Sequence, residues 1–278
     1  MTIAPLVHVA ATIAAGYWLQ HFQQRHLGAP NAPMYWFSHA RASWWVAPAA
    51  IMLCAAAVLA PALLRATPRR FVTGAALLAL ATRVALNMSR EGPHELIVPL
   101  TGKEGRQEYL PTVLRFLADP VGYLRHFDNL IRTGLPDHPA GHPPGPTVVL
   151  AGLNQIGLGG AWPAALLILV AGSLTVVPLY TLACHLSNEP SARLAVLAWM
   201  FAPNVLLMSA TSMDAVFGLV ATVAALLLVG RRAIAGGVVT AIASFLSYAL
   251  LAVAVWALGT LLMRRAHSRR LFGKVVQK

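Results

Sequence analysis

The chain has 278 residues, 58% of them apolar and 11% charged, with a positive mean hydropathy, a balance that excludes a soluble globular domain. Its net charge of +12 fits nucleic acid in principle. The basic residues, however, fall in short clusters between apolar runs, which reads as membrane topology on an anionic lipid surface rather than a phosphate-tracking face. Cys54 and Cys184 both lie in apolar segments and read as packing residues.

The predicted membrane spans, in chain order, are 3–20, 44–64, 71–88, 161–184, 193–209, 212–229, 233–247 and 249–263. The first ends in Gln20-His21 and lacks a basic start, so it is read as a span rather than a cleaved signal. Arginine clusters at Arg65/Arg69/Arg70, Arg231/Arg232 and Arg264/Arg265/Arg269/Arg270 fit the cytoplasmic side under one alternation of the spans. Both termini are then cytoplasmic and the loops 21–43 and 89–160 face outward. Tyr35-Trp36-Phe37 and Trp44-Trp45 suit an aromatic interface belt. The expected fold is therefore an all-α, multi-pass plasma-membrane protein of about eight transmembrane helices. It divides into an N-terminal helix pair (1–70), a membrane core (71–265) and a basic cytoplasmic tail (266–278).

Of the nine acidic residues, Glu91, Glu95, Glu104, Glu108, Asp119, Asp128 and Asp137 share one loop, 89–146. A charge at the centre of a bilayer costs at least about 2.5–3.5 kcal/mol, so these acids mark where the chain meets water. Within the loop, Leu110, Val113, Leu114 and Leu117 repeat at helical spacing. Asp119-Pro120 then offers a cap and first-turn proline for a second helix with Tyr123, Phe127, Leu130 and Ile131 on one side. Both are expected as amphipathic helices lying on the membrane surface. A third short helix, 146–158, should dip into the outer leaflet.

Candidate site residues gather at the outward end. Arg83, Asn87, Arg90 and Glu91 share a helical face and read as an anion-binding wall with Arg83 on a phosphate oxygen; Arg83 snorkelling to the headgroups is the plainer account. Glu108, and Glu91 as its rival, can serve as general base for an acceptor hydroxyl, although most loop glutamates are merely solvated. His138-Pro139 and His142-Pro143-Pro144 can hold imidazoles rigidly for a phosphate, a proton or a metal, or simply make a stiff turn. Asp214 either caps the helix it opens or holds a sugar hydroxyl.

Four pieces of sequence together resemble the GT-C superfamily of polyprenyl-phosphate-sugar-dependent glycosyltransferases, and more closely its actinobacterial integral membrane members of unassigned function. They are the acidic outer loop with its two surface helices, Gly141-His142-Pro143-Pro144-Gly145 before a short apolar helix, Ala210-Thr211-Ser212-Met213-Asp214-Ala215-Val216-Phe217, and Ala243-Ser244-Phe245-Leu246-Ser247-Tyr248-Ala249-Leu250. The resemblance covers roughly 71–265. It implies inverting transfer of a sugar from a polyprenyl-phosphate donor to a glycan, lipid or protein acceptor of the cell envelope. Glu108 or Glu91 would be the base. His142, with His138, Arg83 and Arg106, would serve the donor phosphate, and Asp214 would border the cavity. Superfamily members usually carry an aspartate in this loop and continue through further spans, so the chain is expected to be a shortened, partial or inactive member. The sequence leaves open whether a divalent metal takes part; Glu91, Glu108 and Asp214 offer oxygen ligands. The alternative is a transporter or a lipid-binding scaffold without catalysis, but the polar groups crowd one boundary and no internal repeat is visible.

Overall fold

A computed structural model describes residues 43–208 and 212–276, of which 207–208 and 264–276 by backbone alone, together with positions 11, 14, 15, 18, 28, 29, 32 and 33. Most of the predicted first span and of loop 21–43, including Tyr35-Trp36-Phe37, lies outside the described residues. The contacts divide the chain into two units, 1–42 and 43–278. In the first, β1 (Gly28–Ala29) and β2 (Ala32–Pro33) pair antiparallel, Gly28 opposite Pro33.

The second unit is all helical among the described residues. α1 (Val46–Arg65) and α2 (Pro68–Asn87) form an antiparallel pair across Ala66-Thr67, with Pro68 in the first turn, where its missing N–H costs nothing. After α2 come a 3-10 turn (Pro93–Leu96), α3 (Val98–Thr101) and a second 3-10 turn (Glu104–Gln107). The chain continues as α4 (Leu110–Ala118), α5 (Pro120–Arg125), α6 (Phe127–Thr133), α7 (Asp137–Gly141) and α8 (Gly145–Gln155). The C-terminal half holds α9 (Ala161–Leu174), α10 (Val176–Leu186), α11 (Glu189–Met200), α12 (Pro203–Met208), α13 (Asp214–Val229), α14 (Ala233–Leu246) and α15 (Leu251–Val276).

Two stretches are long and apolar enough to cross a bilayer: Val46–Arg65, and Ala161–Leu186, which is α9 continued by α10. At 20 and 26 residues they measure about 30 and 39 Å, against a hydrocarbon core of about 30 Å. Among the described residues, helices also lie in the predicted spans 71–88, 193–209, 212–229, 233–247 and 249–263, but several are short. Asp214–Val229, Ala233–Leu246 and Tyr248–Met263 have apolar lengths below that threshold. The predicted span 193–209 is two helices, because Pro203 lacks an N–H and disfavours helical backbone at Ala202. The predicted tail does not separate from the last helix: α15 runs on through the basic residues to Val276.

The acidic segment 89–146 docks on the bundle rather than standing free. Val113, Phe116 and Tyr123 share one buried cluster with Leu150 of α8, Ile168 of α9, Phe217 of α13 and Leu246 of α14. The Thr112 and Thr147 hydroxyls hydrogen-bond at 2.9 Å between α4 and α8. This rotates α4 from its predicted face: Val113 and Phe116 point inward, while Leu114 is 74% exposed. The second predicted surface helix is broken at His126 into α5 and α6. Asp119 caps α5 as expected, accepting the Gly122 N–H at 2.8 Å. A separate cluster of Phe71, Ala75, Ala79, Val176, Val196 and Met200 joins α2 to α10 and α11.

Candidate functional site

Glu108 stands in extended backbone between the Glu104–Gln107 turn and α4. Gly105 makes that turn feasible, since a Cβ there would strike the Leu100 backbone. The side-chain carbonyl of Gln107 accepts the Asp137 N–H at 3.1 Å, which ties the turn to the start of α7. One residue on, His138 Nε2 lies 3.8 Å from Glu108 Oε1. Tyr109, only 3% exposed, presents its ring edge-on to His138 (6.3 Å) and to His142 (6.1 Å). The His142 ring in turn rests on Phe217 of α13 at 5.4 Å. Phe217 is one turn beyond Asp214, so His142 is bracketed by Tyr109 on one side and α13 on the other.

Asp214 opens α13, and the Ser212 hydroxyl both donates to its carboxylate (3.0 Å) and accepts its N–H (3.2 Å). The first-turn N–H of Asp214 is thus satisfied by Ser212, and the Asp214 carboxylate keeps further acceptor capacity. Its charge reaches across the site. Burial raises the Glu108 carboxyl above its ordinary range; His138 opposes this, and Asp214 and Glu104 add to it. Burial also raises Tyr109, which stays a phenol, with Glu108 and Asp214 pushing the same way. His142 is lowered by burial, which outweighs the pull of Asp214 and is helped by His138, so its imidazole is held neutral. Its Nδ1 is buried without a hydrogen-bond partner.

Two other quoted motifs meet here. Gly145 of α8 lies against the Phe245 carbonyl of α14, and a Cβ at this position would run into that oxygen. His142-Pro143-Pro144-Gly145, Asp214–Phe217 and Ala243–Leu250 are thus neighbours around one corner.

The remaining sequence candidates are placed otherwise. Arg83 is fully buried and does not snorkel: its Nη1 donates to Ser173 Oγ at 3.1 Å and its guanidinium lies 5.3 Å from the Trp199 ring centroid. Its Nε and Nη2, and the neighbouring Thr82 hydroxyl, have no partner. The wall of Arg83, Asn87, Arg90 and Glu91 does not form, because α2 ends at Asn87 and the chain turns away. Asn87 donates to the Arg83 carbonyl, and Arg90 reaches Glu95 Oε2 at 3.9 Å. Glu91 and Arg106 are exposed. The charges acting on Glu108 include those of His138, Asp214 and Glu104. Among the described residues no three His, Cys, Asp or Glu side chains sit close enough to hold a metal ion.

Tyr109 and the Trp199 wall escaped the sequence reading. Tyr109 adjoins Glu108, so its neighbourhood was visible, but its burial between two histidines is a product of the α4–α7 packing. Asp214 also lines a cavity of about 290 Å³ with Gly172, Thr175, Trp199, Asn204 and Gly218. A larger cavity of about 450 Å³ adjoins Arg65, Glu189 and Arg193. There Arg193 pairs with Glu189 and donates to the Leu63 (3.2 Å) and Leu64 (2.8 Å) carbonyls, which caps the C-terminus of α1. That arrangement is structural and offers no reactive group. Comparison with family models, with curated proteins and with solved structures yields no match.

Proposed function

We propose that the chain is a multi-pass membrane glycosyltransferase of GT-C type. It moves a sugar from a polyprenyl-phosphate carrier to a hydroxyl of an envelope acceptor on the outer face. The observation that carries this reading is the meeting of Glu108, His138, His142 and Asp214 around Tyr109, from three stretches of chain more than a hundred residues apart at the extremes. A carboxylate made more basic by burial is suited to take the acceptor proton. The acceptor oxygen then bonds to the anomeric carbon, the carbon–oxygen bond to phosphate breaks, and its electron pair leaves with the polyprenyl phosphate. A neutral His142 with an unpartnered Nδ1 can donate to a phosphate oxygen, His138 lies beside Glu108, and exposed Arg106, two residues before Glu108, adds positive charge to that turn. Arg83 serves from behind Trp199 rather than on the phosphate directly.

Membrane embedding beyond the two long helices is part of the proposal. It is supported by apolar side chains that are exposed on short helices: Ile234 at 87% on α14 and Val255 at 72% on α15 would be unfavourable in water and fit lipid. In α4 to α6, Leu114, Val121, Leu124 and Ile131 are similarly exposed and would contact the outer headgroup region.

The test is transfer of radiolabel from polyprenyl-phosphate sugars in membranes carrying the chain. Glu108→Gln should lower transfer by about 10²–10⁴-fold, His142→Ala should lower it markedly, and Glu91→Gln should leave it near wild type. Equal labelling by all four proteins would sink the assignment.

A further inference from the structure

We infer that the cavity between Trp199 and Asp214 is the subsite for the donor's sugar ring, and that it takes an uncharged, hydroxyl-rich ring in preference to one bearing a carboxylate. This rests on the transferase reading and adds which residues select the sugar. Four helices build the cavity: Gly172 and Thr175 from the α9–α10 stretch, Trp199 at the end of α11, Asn204 at the start of α12, and Asp214, Ala215 and Gly218 along the first turn of α13. The break at Pro203 is what makes room, since it ends one helix at Met200, just past Trp199, and lets the next present Asn204 beside it.

The chemistry of the walls is that of a carbohydrate site. Trp199 offers an aromatic surface for the apolar C–H face of a ring, and Arg83 holds that indole in place from the buried side. Asn204 supplies both donors and acceptors. Asp214 accepts only, and Thr175 has already given its hydroxyl proton to the Ala171 carbonyl at 2.9 Å, so it too accepts. A lining this rich in acceptors calls for a ligand rich in donors, which is what sugar hydroxyls are. The Asp214 charge repels a uronate. The volume of about 290 Å³ lies at the lower end of small-ligand pockets and suits one ring, leaving carrier and acceptor outside. The cavity adjoins the proposed site through the start of α13: Asp214 and Gly218 line it, while Phe217 between them carries the His142 ring at 5.4 Å.

The experiment measures binding, not turnover, with the full chain in lipid nanodiscs. The probes are farnesyl phosphate, its mannose and glucose conjugates, and its glucuronate conjugate. A neutral sugar should tighten binding over farnesyl phosphate by tenfold or more in the wild type, and the glucuronate conjugate should gain nothing. Trp199→Ala and Gly218→Leu should each abolish the gain while leaving farnesyl phosphate binding unchanged. Gly218 sits inside a helix with open space where a side chain would go, so Gly218→Leu fills the cavity without straining α13. Asp214→Asn should admit the glucuronate conjugate. Equal binding of farnesyl phosphate and both neutral conjugates, or a gain that survives Trp199→Ala and Gly218→Leu, overturns the subsite alone. Failure of every probe to bind the wild type overturns the carrier reading and the subsite with it.

Discussion

Glu108 and His142 are displaced from their ordinary ionisation in opposite directions by the same burial, and the consequences for stability have opposite signs. The folded Glu108 carboxyl holds its proton more tightly than in the unfolded chain. Its unfavourable charged form therefore lowers stability as pH rises out of the ordinary carboxyl range. Glu108→Gln removes that loss: its thermal midpoint should gain on wild type between about pH 4 and pH 7, and a constant difference would refute the burial argument. His142 releases its proton more easily when folded, so stability is lost as pH falls from about 6.5 downward. His142→Gln should flatten that acid limb. Arg83 presents a different balance. It has a hydroxyl and an indole as partners but no acceptor for Nε or Nη2. A buried cation without a carboxylate gives little net stability, so Arg83→Met should leave the unfolding free energy within about 1 kcal/mol of wild type, or raise it. A loss of several kcal/mol would mean that an anion completes the site.

Among the elements, α8 and α14 are separated by the width of a glycine. Gly145→Ala would press a methyl on the Phe245 carbonyl and should cost about 1–3 kcal/mol while shifting His142, three residues upstream, off Phe217. The check is a lowered thermal midpoint together with reduced transfer. At α5, Asp119→Ala removes a cap and should cost about 1 kcal/mol with no comparable effect on transfer. The α5 cap was legible in the sequence because Asp119-Pro120 acts through backbone a few atoms away. The break at His126 and the rotation of α4 were not, because both depend on which face α8 and α13 offer for packing. Pro203 was visible as a residue, yet a hydropathy run across 193–209 masks the break it causes.

For the whole molecule, the sidedness of the chain is the quantity that decides the reading. Single cysteines at positions 108, 142 and 204, in a background of Cys54→Ser and Cys184→Ser, should react with a membrane-impermeant maleimide added outside intact cells. Cysteines at 65, 69 and 231 should react only after permeabilisation. Labelling of position 108 from the cytoplasmic side alone would end the proposal. Two helices reach the length of a bilayer core and several others fall short of it. On the multi-pass proposal, the short ones cross with help from their neighbours or from local thinning of the bilayer.

Composition and the grouping of acids determined by themselves that the chain is helical, rich in apolar segments, and polar in one large loop. Those properties follow from local hydropathy and from the cost of charge in an apolar medium, and neither requires knowledge of packing. The same reasoning named Glu108, His138, His142 and Asp214, because an acid or imidazole beside an apolar run stands out in any fold. Only the tertiary structure decided that these four meet and that Arg83 turns inward beneath Trp199. The reason is that side-chain encounters over a hundred residues depend on helix rotation and crossing, which the buried faces of several helices settle jointly.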